Sequence, residues 1–270
     1  MLILITEITG SLGQRLAKIA ISRGLSVRGL GRTPDKLAPG LSSQLESFVR
    51  TASYYDIPAL EKAVAGIDVV INAYSPSPEL DLDGHLLLIR AAERAQIKIF
   101  IASSWSRDWT NIKFGDFEHY NNHIALFADL LFTPYGPGGF DTSGESPKMR
   151  YWGNGTADKW PWSTQDDAAE WTIDILLHEE CVQAGQGGFF KISSGVTTIK
   201  ELAEMYELVF ETKVGVLRKQ NRTGYFGYMS EAAAVLASKG LWENKDVTVL
   251  NQFRKPTPLE QYLRETKKGQ

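Results

Sequence analysis

Short apolar runs alternate with amphipathic stretches through the first half of the chain. Leu2–Thr6 is a continuous apolar run of the kind that forms a buried strand, and Gln14–Ser22 places Leu16, Ile19 and Ala20 on one face of a helix. Ser26–Gly31 and Ser47–Thr51 read as the second and third strands, with a short helix at Ile57–Ala65 after them. Asp68–Ala73, rich in Val and Ile, predicts a fourth strand, Leu80–Ala95 a helix, and Lys98–Ala102 a fifth strand. Near-continuous apolar strands separated by helices are the mark of a parallel sheet covered on both faces. The expected class is α/β, with a doubly wound parallel sheet.

The second half is less regular. Residues 133–165 are rich in Gly, Pro, Ser and Trp and predict loops with short strands. Helices are expected at Asp166–His178 and at Thr198–Phe210. The second has Thr197 or Thr198 as its cap and Glu201 placed to complete a capping box. Ser230–Lys239 and Pro258–Lys267 read as helices near the end. These patterns divide the chain into a sheet region over residues 1–132 and a small α/β lobe over 133–270, with Gly188–Ile192 as a strand returning to the main sheet.

Composition narrows the picture. Across 270 residues, 29 Lys and Arg face 32 Asp and Glu, a net charge of −3 that argues against a broad nucleic-acid surface. A single cysteine, Cys181, excludes an internal disulfide framework and suits a reducing, cytoplasmic setting. No run approaches the length of a membrane span, and MLILITEITG lacks the basic flank of a signal peptide. The expectation is a monomer or homodimer that acts on a small molecule.

The candidate chemistry begins where the first strand enters Glu7-Ile8-Thr9-Gly10-Ser11-Leu12-Gly13 and then a helix. Here a dinucleotide-binding fold sets its glycine-rich turn, so that backbone N–H groups and the positive helix end meet a pyrophosphate. Gly10 and Gly13 keep the three-residue spacing, with Thr9, Ser11 and Leu12 in the same turn, but Glu7 stands at the first glycine position. A carboxylate beside a pyrophosphate is unfavourable unless its side chain turns away. After the second strand comes Arg32, a cation suited to the 2′-phosphate of NADP, where a free ribose hydroxyl would call for an acid. Asp56 is placed either to approach an adenine amine or to cap the next helix. Ala73 and Tyr74 end the fourth strand at its carboxyl edge, where open sheets bind ligands.

Taken together, strand–TGxxG–helix, VRGLGRTPDK, YYDIPALEKAVAGIDVVINA and IKIFIASS resemble the short-chain dehydrogenase/reductase superfamily. YGPGG (Tyr135–Gly139), STQDDAA (Ser163–Ala169) and FKISSGVTTIKELAEM (Phe190–Met205) are similar to its extended and atypical, NmrA-like branches. The resemblance implies a Rossmann-like domain, an NADP-type cofactor and a substrate cleft under the carboxyl-terminal lobe. Members that transfer hydride use a serine after the fifth strand and a Tyr-x-x-x-Lys pair. Ser103 or Ser104 matches the serine; Ser104 is the catalytic candidate, and Ser103 joins the cofactor contacts. The matching tyrosine is Tyr120, but Ile124 stands four residues on in place of lysine, and His123 is the nearest titratable substitute at i+3.

That gap leaves three readings open. One is an NADPH-dependent reductase of a small organic carbonyl, imine or activated alkene. Another is a non-redox isomerase, cyclase or lyase on the same scaffold, and the third is a silent NADP-binding regulator. His119 and His123 have the spacing of a metal pair, yet no second cluster completes a site, so no metal is expected. The tryptophans Trp105, Trp109, Trp152, Trp160, Trp162 and Trp171 either line an aromatic substrate cleft or pack the lobe.

Overall fold

β1 (Leu2–Thr6) is the middle strand of a five-stranded sheet, and its Ile3, Leu4 and Ile5 are wholly excluded from solvent. The computed structural model describes residues 1–75, 83–105, 127–151, 157–218, 237, 247 and 253–268. In it β1 pairs on one side with β2 (Ser26–Gly31), which pairs with β3 (Ser47–Arg50). On its other side β1 pairs with β4 (Val69–Ile71), which pairs with β5 (Ile99–Ile101). All four pairings are parallel, and the order β3-β2-β1-β4-β5 reverses direction at β1. This is the Rossmann-like doubly wound sheet the apolar runs predict, and its ligand crevice lies outside the carboxyl ends of β1 and β4.

Crossover helices cover the sheet. α1 (Ser11–Ser22) packs on β1 and β2 through Leu16, Ala17 and Ala20. It begins three residues before the expected Gln14, because the periodic apolar face starts only at Leu16 and Gly13 lowers the local helix propensity. α2 (Ile57–Val64) and α3 (His85–Arg94) pack against each other. Their Leu60, Ala63, Leu88 and Ala91 form one core cluster with Leu4, Leu30 and Val70. Burying each such leucine contributes about 1.5–3 kcal/mol. Arg28 fastens this side: Nε donates to Glu46 and to Ser47 Oγ, while Nη1 donates to the carbonyls of Ala63 and Ala65 at the end of α2.

The chain divides into two compact units. One gathers Met1–Trp105 with Ala169–Phe189; the other holds the described residues of Ile124–Ala168 and Phe190–Gln270. This differs from a single break at residue 132, since Ala169–Phe189, which includes most of α5 (Gln165–His178) and α6 (Glu180–Gln183), counts with the sheet. Arg23, just after α1, reaches Glu170 at 3.0 Å and Asp174 at 3.3 Å on α5.

In the second unit, α4 (Ala128–Leu131) precedes β6 (Lys148–Tyr151) and β7 (Trp160–Trp162). β7 pairs antiparallel with β8 (Gly195–Thr197), and β6 pairs parallel with β9 (Gly215–Arg218). α7 (Ile199–Phe210) and α8 (Leu259–Lys268) pack together beside them. Thr198 and Glu201 form the expected capping box.

The strand expected at Gly188–Ile192 does not form. Gly185 and Gly187 both take positive φ, which suits a turn. The Ser194 N–H is committed to the Trp162 carbonyl, and the ladder begins only at Gly195, within the second unit. The helix expected at Ser230–Lys239 lies outside the described residues, apart from Ala237.

Candidate functional site

The turn after β1 is shaped by Glu7, which stands in the left-handed region at φ 46°. Its carbonyl accepts the Gly10 N–H at 2.8 Å, and a Cβ on Gly13 would meet that same oxygen at 2.5 Å. Gly13 is therefore required for the close approach of α1 to the turn. Gly10 caps α1 with no side-chain hydrogen bond, so the leading N–H groups of Ser11, Leu12 and Gly13 have no capping side chain. That helix end carries a partial positive charge aimed at the carboxyl edge of β1, an arrangement that fits a pyrophosphate. Gln14 braces the turn, donating to the Thr9 carbonyl at 3.2 Å and accepting the Ala38 N–H at 2.6 Å.

The side chain of Glu7 reaches the loop after β4. Its carboxylate accepts the Ser75 N–H at 2.7 Å, beyond β4. The carboxylate that stands at the first glycine position thus ties two loops of the crevice.

β4 brings a buried polar network to the same edge. Thr6 Oγ1 donates to Asn72 Oδ1 at 2.9 Å and accepts the Ala73 N–H at 3.1 Å. Asn72 Oδ1 also accepts the Tyr74 N–H, and Asn72 Nδ2 donates to His85 Nδ1 at 2.8 Å. Both Thr6 and Asn72 are fully buried, so each bond offsets a desolvation cost of about 1–3 kcal/mol. Burial holds the His85 ring below its ordinary pKa, which keeps it neutral and able to accept. Burial also pushes the Tyr74 phenol far above its usual value, with smaller contributions from Tyr54 and Glu7, so Tyr74 is a neutral phenol at all working pH.

A row of rings leads outward from this network. His85 meets Tyr74 edge-on at 5.7 Å, Tyr74 meets Tyr54 edge-on at 5.2 Å, and the exposed Arg32 guanidinium sits over the Tyr54 ring at 5.2 Å. Sequence reasoning singled out Arg32 and Tyr74 but missed Tyr54 and His85. Their only signal is an aromatic or histidine just past a strand or opening a helix, which is common to packing residues.

The other candidates separate. Asp56 caps α2: Oδ1 accepts the Ala59 N–H and Oδ2 the Ala52 N–H. Of its two predicted roles, the cap is the one the geometry displays. Ser103 Oγ donates to the Tyr74 carbonyl at 2.7 Å, tying the end of β5 to that of β4. Ser104 is exposed beside it. Tyr120 and His123 lie outside the described residues, as do His119, Trp109 and Trp152. Among the described residues no group of His, Cys, Asp or Glu could hold a metal ion, and no helix is long and apolar enough to cross a membrane.

The described tryptophans pack. Trp171 is fully buried, Trp105 donates to Thr172 Oγ1 at 2.9 Å, and Trp160 and Trp162 belong to the core of the second unit. Asp167, in the first turn of α5, is fully buried and saturated. It accepts from Ser194 Oγ at 2.6 Å and from the N–H and Oγ1 of Thr257 at 2.8 and 2.9 Å. Its role is structural. The second unit also contains a cavity of about 770 Å³ walled by Phe132, Phe140, Tyr206 and Phe210. At its edge Arg150 pairs with Asp141 at 3.1 Å, and the Ser143 hydroxyl and N–H hold the Asp141 carboxyl well below the usual range.

Residues 8–128 match a family model described as NAD(P)H-binding. No curated protein matches the chain. Among solved structures, the chain superposes on AtPrR2 with NADP+ and (+)pinoresinol at a TM-score of 0.75, with 18% identity over 97% of each chain. Triphenylmethane reductase of Citrobacter sp. complexed with NADP(H) gives 0.75 and 18% over 98% of this chain and 99% of that one. NADPH-dependent quinone oxidoreductase QOR2 of Escherichia coli complexed with NADPH gives 0.73 and 16% over the same shares. At these identities the likeness establishes the fold. With the matched domain, it bears out the Rossmann-like fold and the NAD(P)H-binding region that the motifs imply.

Proposed function

The chain carries an NAD(P)H-binding domain over residues 8–128, and from it we propose an NADPH-dependent reductase of a small organic carbonyl, imine or activated alkene. The observation that carries this reading is the pairing of the uncapped α1 end with Arg32 at the adjacent edge of β2. One suits a pyrophosphate and the other a 2′-phosphate. The structural neighbours solved with NADP+, NADP(H) and NADPH support the same cofactor.

The residues divide by task. Thr9 to Gly13 offer backbone N–H groups, and Gly13 lets the helix approach. Arg32 reads the 2′-phosphate, while Ala73, Tyr74 and Ser103 shape the edge of the crevice at β4 and β5. Bound NADPH supplies the hydride. Ser104 lies at the end of β5, where it can hold the oxygen of a substrate, and Tyr120 or His123 would hand over the proton. The substrate need only be fixed at reacting distance, because hydride transfer draws most of its acceleration from positioning. The lone cysteine suits a cytoplasmic protein that acts without a disulfide framework.

Titration of the full chain with NADPH and NADH, followed by a carbonyl, imine and enone panel that reads NADPH consumption, tests the proposal. Tighter binding of NADPH with consumption on one class supports it. Binding without consumption on any class overturns the reductase and favours an isomerase, a lyase or a regulator.

A further inference from the structure

We propose that Tyr54 sets the dinucleotide preference by holding the Arg32 guanidinium where a 2′-phosphate is read. The inference rests on the NADPH reading above and concerns a residue which that reading does not use. Arg32 stands on an exposed turn just past β2, where an arginine samples many rotamers and loses that freedom when it binds an anion. The Tyr54 ring removes part of this cost in advance. The guanidinium lies over the ring at 5.2 Å, the cation–π arrangement, and this leaves its N–H fork for a phosphate.

The platform is itself fixed. Tyr54 abuts Tyr74 edge-on, with an interplanar angle of 72°, and Tyr74 is buried and abuts His85 at 77°. His85 accepts from Asn72, which is bonded to Thr6 at the end of β1. Arg32 is thus referenced to the same strand end that presents the pyrophosphate turn. Asp56, the acid two residues after Tyr54, spends its oxygens on the Ala52 and Ala59 N–H groups. Tyr54 is a positioning residue: it acts through Arg32.

The test is a binding cycle on the full chain, read by NADPH and NADH titration. Arg32→Ala weakens NADPH by about 10–150-fold, the range for a charged hydrogen bond, and leaves NADH within about twofold. Tyr54→Leu weakens NADPH by about 3–10-fold, the scale of a cation–π contact, with NADH within about twofold. Tyr54→Phe, which keeps the ring, binds NADPH as the wild type does. In the Arg32→Ala background, Tyr54→Leu adds no further loss, because the pair acts as one unit.

Equal losses for both cofactors, additive losses in the double variant, or failure of Tyr54→Phe to restore binding would each overturn the proposal. A silent Tyr54→Leu beside a sensitive Arg32→Ala overturns it alone and leaves the cofactor reading standing. A wild type indifferent to the 2′-phosphate overturns both. If Tyr54→Leu does not fold, Tyr54→Met carries the same comparison.

Discussion

The Glu7 carboxylate accepts the Ser75 N–H at 2.7 Å and so joins the loop after β1 to the loop after β4. Two residues 68 positions apart close one side of the ligand crevice, and the acid among them occupies the place where a glycine was expected. The bond makes the acid a brace between the two loops without removing its charge.

Glu7 can be dissected by charge and by bond. Glu7→Gln keeps an oxygen for Ser75 and removes the charge, so NADPH binding tightens by about threefold, within the ~0.2–1 kcal/mol of an exposed charge pair. Glu7→Ala breaks the tie and lowers stability by about 1 kcal/mol, the size of one partly exposed hydrogen bond. Calorimetric titration and thermal melts read the two effects. Weaker cofactor binding by Glu7→Gln would instead make the carboxylate a ligand contact.

Asp167 anchors the second unit's chain far from its own position. With Ser194 and Thr257 bonded to it and Arg254 at 3.6 Å, Asp167→Ala removes the acceptor of the buried Ser194 hydroxyl and of the part-buried Thr257 donors. Loss of about 3–5 kcal/mol is expected, as for breaking a buried charged network. Denaturant midpoints measure it, and a loss under about 1 kcal/mol would remove the anchor role.

Stability should fall on acidification through His85. Its folded pKa is lowered by burial, so the unfolded chain binds the proton more readily. Its stabilising contribution is complete above the ordinary histidine value near ~6.5 and is lost as pH falls from there toward the lowered value. His85→Phe keeps an aromatic ring against Tyr74, removes the titration and flattens the slope of melting temperature below neutral pH. A slope unchanged by the substitution would assign the effect to another group.

Tyr120 tests the chemistry. A general acid supplies about 10²–10⁴-fold, but tyrosine starts near pKa ~10 and Ile124 offers no cation to lower it. Tyr120→Phe therefore reduces turnover by less than about tenfold and leaves NADPH binding intact. A hundredfold loss would place the protein with the ordinary tyrosine-dependent reductases.

The sheet was legible because its information is local. Leu2–Thr6 and Ser26–Gly31 form strands with the predicted bounds, since an unbroken apolar run between turn residues has few alternatives. The start of α1 was less legible, because Ser11–Gly13 has no periodic face and becomes helical through its fit to the turn. Gly188–Ile192 was misread because it lies between two left-handed glycines and a serine pair already bonded to Trp162. At the site, Arg32 announced itself by charge and position. The Glu7–Ser75 tie and the Asp167 network join partners 27 to 90 positions apart, and no spacing rule reports such pairs.

Arg28 carries one last implication, for how the fold comes apart. Its single guanidinium serves the edge strand β3 through Ser47 and the last turn of α2 through Ala63 and Ala65. Opening either partner strips this guanidinium, only 14% exposed, of part of its hydrogen bonds. β3 and the end of α2 therefore form one cooperative opening unit, and their amide protons exchange with a shared protection factor. The platform beneath Arg32 lies in the segment between them, so its persistence in time depends on Arg28, an arginine of the neighbouring strand.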